Sequence, residues 1–254
     1  MTDKKVDKLV FFLPNTCTAL NIACGFLSVI YSFQGKFYEA CIFIAIGAFL
    51  DSIDGRLARL VGAESQFGEQ FDSLSDLISF GMAPSMIFYF RFLTDFNRLG
   101  MVVAFMFLLC GALRLARFNA NIDKVSSDYF QGLPIPGAAT ALIGYVLLSL
   151  EFGHLTILEV IAVPYILLYS LLMISNIPFP SFKKSDWVRR NKRKVLFILI
   201  LLFAAVFVWT EGMVFTIISV YVFGSLIYMF THKNKMKDIF SWDENANANQ
   251  PHKD

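Results

Sequence analysis

The sequence predicts an all-α polytopic membrane protein, and three observations carry that prediction. Of 254 residues, 56% are hydrophobic and 28 are Phe, with a mean hydropathy of +0.59; soluble domains run at roughly 45–50% apolar residues. Apolar runs recur at a length of about 17–25 residues, enough for a helix to cross a hydrocarbon core of roughly 30 Å. Lys and Arg fall almost wholly on alternate sides of those runs. In lipid, spanning segments of this kind satisfy their own backbone groups as helices.

Eight candidate spans lie near 15–33, 37–57, 74–93, 99–118, 135–152, 155–175, 194–210 and 213–231. Before the first, KKVDKLVFFL sets Lys against Val, Leu and Phe, so residues 1–14 read as an interfacial amphipathic segment. No small-residue cleavage site precedes the first span, so no signal peptide is expected. FGHL separates the fifth and sixth spans, and TEG the seventh and eighth, which makes each pair a tight helical hairpin. The stretch 15–175 forms the main membrane unit, 176–193 a basic loop, 194–231 a C-terminal hairpin and 232–254 a polar tail.

Placing the N-terminus in the cytoplasm leaves only Lys36, Arg91 and Arg98 of the 22 basic residues outside. The positive-inside rule then puts both termini, and the connection between the second and third spans, on the cytoplasmic side. Four cysteines in or beside apolar spans read as free thiols rather than a disulfide framework. Three scattered histidines and no CxxC pair argue against a zinc site. The net charge of +2 gives no sign of a nucleic-acid partner, and none is expected.

The cytoplasmic connection reads DSIDGRLARLVGAESQFGEQFDSLSD. Asp51 and Asp54 share a face of the second helix, and Asp72 and Asp76 a face of the third. With about a dozen residues linking antiparallel neighbours, the four carboxylates converge near the cytoplasmic surface. Together they repel one another and lose hydration, which hard cations would relieve. Mg²⁺ or Mn²⁺ suits an all-oxygen set, and two ions would neutralise the cluster. Gly55 and Ala58 leave room beside the acids, and Arg59 offers a planar fork to a phosphate. Glu64 and Glu69 read as ordinary solvated loop charges.

Written as Asp51-x2-Asp54-Gly55-x2-Ala58-Arg59-x8-Gly68-x3-Asp72-x3-Asp76, the stretch resembles the signature of the CDP-alcohol phosphotransferase family at every fixed position. The resemblance implies a six-helix catalytic core, here with two further C-terminal transmembrane helices, and a two-metal site that releases CMP from a CDP-linked donor. It implies that Asp51, Asp54, Asp72 and Asp76 bind metal and that Asp76 is also the base. It places Gly55, Ala58, Arg59 and Gly68 at the cytidine and pyrophosphate pocket, with Ser65 near the nucleotide. PNTCTALNIACG resembles the segment opening the first family helix, which adds Asn15, Thr18 and Asn21 to the CDP-diacylglycerol site. Capping and interhelical hydrogen bonding account for those three equally well.

SDLISFGMAPS, RLARFN and FQGLPIPGAA resemble the phosphatidylserine synthase branch of the family, so the implied partners are CDP-diacylglycerol, L-serine and membrane lipid. A serine carboxylate needs a cation, which Arg114 and Arg117 can supply; anchoring α-helical ends at the lipid interface is their other reading. Asn119 and Gln131, with Asn121, could complete the pocket. QGLPIPG reads as a re-entrant turn lining the polar cavity. Homodimerisation is an expectation of the family alone. An acceptor carrying a phosphate, such as glycerol 3-phosphate or an inositol phosphate, is the alternative within the family. A divalent-cation transporter is the alternative outside it.

Overall fold

A computed structural model describes residues 8–63, 65–120, 129–152, 156–180 and 191–231. Residues 1–7 of the expected interfacial segment, Glu64, Asn121, most of the basic loop and the tail 232–254 lie outside the described residues. Among the described residues, the regular structure is helical except for one short β-ribbon.

α1 (Lys8–Phe33) runs through Pro14 without a break, so the expected boundary between positions 14 and 15 falls inside one helix. A tight turn at Gly35, whose φ of +77° suits glycine, delivers the chain to α2 (Phe37–Val61). α2 ends at Gly62 in the left-handed conformation, with the Gly62 N–H bonded to the Ala58 carbonyl. Ser65 then caps α3 (Gln66–Asp76), its Oγ accepting the Gly68 N–H at 3.0 Å. Only residues 62–65 therefore connect the two helices, not the dozen expected. Hydropathy falls where a helix leaves lipid, whereas the helix ends where Gly62 allows it to turn. Glu69 consequently lies in the first turn of α3 rather than in a loop.

The third rod continues without interruption as a π-helical stretch (Leu77–Met82), α4 (Ala83–Phe88) and a second π-helical stretch (Tyr89–Leu93). Pro84 has no N–H to give to the preceding turn. The helix is widened just ahead of it, with the Ala83 N–H reaching back to the Ile78 carbonyl. A 3₁₀ turn leads to α5 (Asn97–Ala120). There follow β1 (Tyr129–Gln131), α6 (Ile135–Glu151), α7 (Thr156–Ile174), β2 (Pro178–Pro180), α8 (Lys192–Val208) and α9 (Thr210–Thr231).

β1 and β2 pair antiparallel, Phe130 opposite Phe179. At the turn after β1, Gly132 (φ +75°) donates its N–H to the Ile177 carbonyl, and Leu133 donates to the Leu172 carbonyl. QGLPIPG thus folds onto the end of α7, with Leu133 and Ile135 buried in the core. It is not a re-entrant turn into the acid-lined cavity.

Four helical stretches among the described residues are long and apolar enough to cross a bilayer: Leu13–Phe33, Gln66–Ala120, Ile157–Ile174 and Thr210–Met229. With Phe26, Phe49, Phe105 and Phe223 each more than half exposed on the outside of the bundle, this is an integral membrane protein. Inside, Phe80, Phe88, Phe107 and Tyr169 are fully buried. Cys24, Cys41 and Cys110 are buried free thiols, and Cys17 is free and half-buried.

α1 packs along α2, and the third rod crosses α1 closely. Ser79 Oγ donates to the Asn21 carbonyl at 2.9 Å, and Ser75 Oγ to the Thr18 carbonyl at 3.3 Å. A Cβ on Gly25 would lie 2.7 Å from Ser79 Oγ, so glycine sets how near the helices come. α5 packs on α7, and α9 on α6.

The last contact is equally tight, since a Cβ on Gly144 would sit 2.9 Å from the backbone of Phe215. Gly144→Val is therefore expected to force α6 and α9 apart and destabilise the protein by about 1–3 kcal/mol. A fall in the thermal midpoint in detergent, set against an Ala substitution at exposed Val220, checks this.

Candidate active site

The α2–α3 hairpin brings acids from both helices to one end of the bundle. Carboxylate oxygens of Asp51, Asp72 and Asp76 all lie within 4.8 Å of one another. The spacing of three residues on α2 and four on α3 turns each pair inward, and the short Gly62–Ser65 connection sets their heights. Asp76 Oδ1 is buried and has no hydrogen-bond partner among the described residues. A buried carboxylate oxygen left unpaired beside two more carboxylates is costly unless a cation meets it. This donor set therefore fits a hard divalent ion, and the triad could bind one.

Asp54 is not one of the three, although its charge reaches Asp51 and Asp72. It is buried, and Thr18 Oγ1 on α1 donates to its Oδ2 at 2.9 Å. Both residues belong to the wall of a cavity of about 240 Å³ between α1, α2 and α3. Asn15, Thr18, Gly55, Ala58, Arg59, Ser65 and Gly68 line the same cavity, so seven of the eight residues expected at the nucleotide site are brought together. Asp72 also lines it and thereby joins the cavity to the acid cluster.

Each lining residue has a local reason for its place. A Cβ on Gly55 would meet nothing within 4 Å, so that glycine keeps space open rather than permitting a helix contact. Gly68 lies where a Cβ would stand 3.2 Å from Ser65 Oγ, close beside the cap that starts α3. Arg59 Nε donates to the Gly55 carbonyl at 2.9 Å, which holds its exposed side chain along the cavity rim. Pro14, Ala63 and Glu69 are further lining residues. Glu69 was legible only as a loop charge, because the helix start that turns it toward the cavity depends on the Ser65 cap.

Asn21 is the exception among the expected nucleotide-site residues. It is fully buried outside the cavity wall, with neither side-chain amide atom hydrogen-bonded among the described residues. A Cβ on Gly47 would come within 2.6 Å of its Oδ1, so Asn21 packs into the α1–α2 contact.

The four residues expected at the serine pocket divide between two places. Arg114 on α5 is buried, its guanidinium carbon lies 5.5 Å from the Phe118 ring centroid, and its Nε has no partner among the described residues. Its charge acts on Asp76, which makes it the cation set against the acids. Asn119 donates to Ser73 Oγ at 3.0 Å and so ties the end of α5 to α3 between Asp72 and Asp76.

Arg117 faces elsewhere. Its Nη1 donates to the Ile174 carbonyl at 2.9 Å and to Asn176 Oδ1 at 3.2 Å. Its Nη2 donates to the carbonyls of Gln131, Met173 and Ser175 at 3.0–3.1 Å. It therefore caps the C-terminal carbonyls of α7. Gln131 joins the same knot, its Nε2 donating to Asn176 Oδ1 at 3.0 Å.

A family model described as CDP-alcohol phosphatidyltransferase matches residues 11–173, which include the cavity, the acid cluster and Arg114. A Helicobacter pylori protein named CDP-diacylglycerol–serine O-phosphatidyltransferase is 38% identical over 240 residues, covering 93% of this chain and 98% of its own. A Bacillus subtilis protein of the same name is 38% identical over 173 residues, 68% of this chain and 92% of its own. An archaetidylserine synthase of Methanothermobacter thermautotrophicus is 37% identical over 182 residues, 71% of this chain and 74% of its own. With acids, cavity and signature falling in one matched segment, the chain belongs to the CDP-alcohol phosphatidyltransferase family.

Proposed function

We propose that the protein transfers the phosphatidyl group of CDP-diacylglycerol to L-serine and releases CMP. One observation carries the reading: Asp72 belongs both to the carboxylate triad and to the wall of a cavity lined by the signature glycines. A nucleotide in that cavity would present its pyrophosphate to the acid cluster. The names of relatives matching most of the chain select serine as acceptor.

Asp51, Asp72 and Asp76, with Asp54 at the cavity wall, would hold the divalent ions, Mg²⁺ or Mn²⁺ and two in number. Bound there, such ions supply charge neutralisation for the pyrophosphate and the departing phosphate. The chain's own groups do the rest. Arg59 at the rim meets phosphate charge, and Thr18 fixes the carboxylate of Asp54. Arg114 receives the serine carboxylate. Asp76 takes the proton of the serine hydroxyl as its oxygen bonds to the lipid-side phosphorus. The bond from that phosphorus to the CMP oxygen breaks, and CMP leaves.

The catalytic core comprises the six-helix unit 15–175, and α8 and α9 are additions to it. Both termini and the site face the cytoplasm, where serine is dissolved while the donor's acyl chains stay in lipid.

The test is CMP release by purified protein given CDP-diacylglycerol, Mn²⁺ or Mg²⁺, and either serine or glycerol 3-phosphate. Serine-dependent release is expected; release with glycerol 3-phosphate alone would move the protein to another acceptor class. Filling the cavity gives a second check. Gly55→Leu is expected to keep or raise the thermal midpoint, because glycine inside a helix costs about 0.5–1 kcal/mol relative to alanine. The same change is expected to weaken CMP binding about tenfold or more.

A further inference from the structure

Resting on that reading of the cavity, we infer that Glu69 selects the base of the nucleotide by accepting a hydrogen bond from the exocyclic amine of cytosine. Glu69 lies in the first turn of α3 and lines the cavity, three residues before Asp72. The two carboxylates share a helix face, and Glu69 stands about 4.5 Å nearer the mouth. Asp54 and Asp72 mark the end that takes the pyrophosphate. The mouth, at the start of α3, is left for the base.

The remaining polar side chains of the cavity wall differ in sign. Arg59 only donates. Ser65 Oγ already accepts the Gly68 N–H at 3.0 Å. Asn15 can present either a donor or an acceptor. Glu69 alone among these is an obligate acceptor when ionised, and it is exposed to the cavity and to solvent. At C4 of the ring, cytosine carries an amine, N4, that donates, whereas uracil carries a carbonyl, O4, that accepts. A carboxylate facing that position attracts the first and repels the second. A carboxylate placed against a phosphate would be unfavourable, which is a further reason for Glu69 to serve the base end.

The test uses the full chain in detergent with Mn²⁺, titrated separately with CMP, UMP and 2′-deoxy-CMP by calorimetry. Wild type is expected to bind CMP about tenfold more tightly than UMP. Glu69→Gln keeps the shape and can present either end of its amide. It is expected to hold CMP within about threefold and bring the CMP-to-UMP ratio near one. Glu69→Ala is expected to weaken CMP about tenfold and to hold UMP as tightly as wild type or more so. An unaltered ratio in both variants overturns the inference. So does a Glu69→Ala protein that loses CMP and UMP alike while its binding of 2′-deoxy-CMP stays at the wild-type level, since the carboxylate would then hold the ribose. Failure of wild type to bind any of the three nucleotides overturns the nucleotide reading as well, which separates the two failures.

Discussion

Asp76→Asn is expected to lower serine-dependent CMP release by about 10³-fold or more while the protein stays folded. Asp76 sits at the convergence of α3, Asp51 and Arg114, and one of its oxygens is buried without a partner among the described residues. Asn has nearly the same shape, yet it cannot take up the serine proton. Loss of a general base alone typically costs 10²–10⁴ in rate, and the same change removes one carboxylate from the proposed ion cage. Stability should move the other way. Without added metal the clustered carboxylates repel one another, so removing a charge is expected to leave the thermal midpoint unchanged or raise it. Rate and melting temperature measured on the same preparation separate a lost base from a lost fold. A variant with full rate would show that Asp76 is not the base.

Arg114→Ala is expected to act on the other substrate. The guanidinium is buried against Phe118 and is the cation whose charge reaches Asp76. Removing one member of a buried charge pair costs about 2–5 kcal/mol, so kcat/KM for serine should fall by about 10²-fold or more. CMP binding should change by less than about threefold, because Arg114 is outside the wall of the nucleotide cavity. Arg114→Lys restores the charge without the planar fork, and its serine kcat/KM should stay about tenfold below wild type. Equal losses for serine and CMP would remove Arg114 from the serine site.

The positions of the acids were legible because helix geometry converts spacing into direction. Residues three or four apart share a face, and a short link between antiparallel helices turns the two faces together; that predicts a meeting of all four aspartates, of which the structure gathers Asp51, Asp72 and Asp76. The company of Asp54 was not legible. Its partner Thr18 lies on another helix, and the α1–α2 contact that brings them together has no trace in the local sequence. Helix ends were misread for a physical reason: hydropathy reports the lipid boundary, and both α2 and α3 extend past it until Gly62 and Ser65 stop them. That error turned Glu69 into a loop charge. Arg114 and Arg117 look alike in the sequence, but α7 presents its carbonyl end to one of them and not to the other. The β-ribbon has three residues per strand, too few for an alternating pattern to register.

The Gly62–Ser65 turn has a consequence for the order in which the protein assembles. All four site aspartates fall within positions 51–76, on two helices joined by the four residues 62–65. Contacts this close in sequence cost little loop-closure entropy and form early. The carboxylates are therefore gathered as soon as the α2–α3 hairpin has emerged and inserted, before α5 has delivered Arg114. During that interval the carboxylates lack the charge of Arg114. Divalent ions bound then would act as assembly factors, holding α2 and α3 together until the later helices close around them.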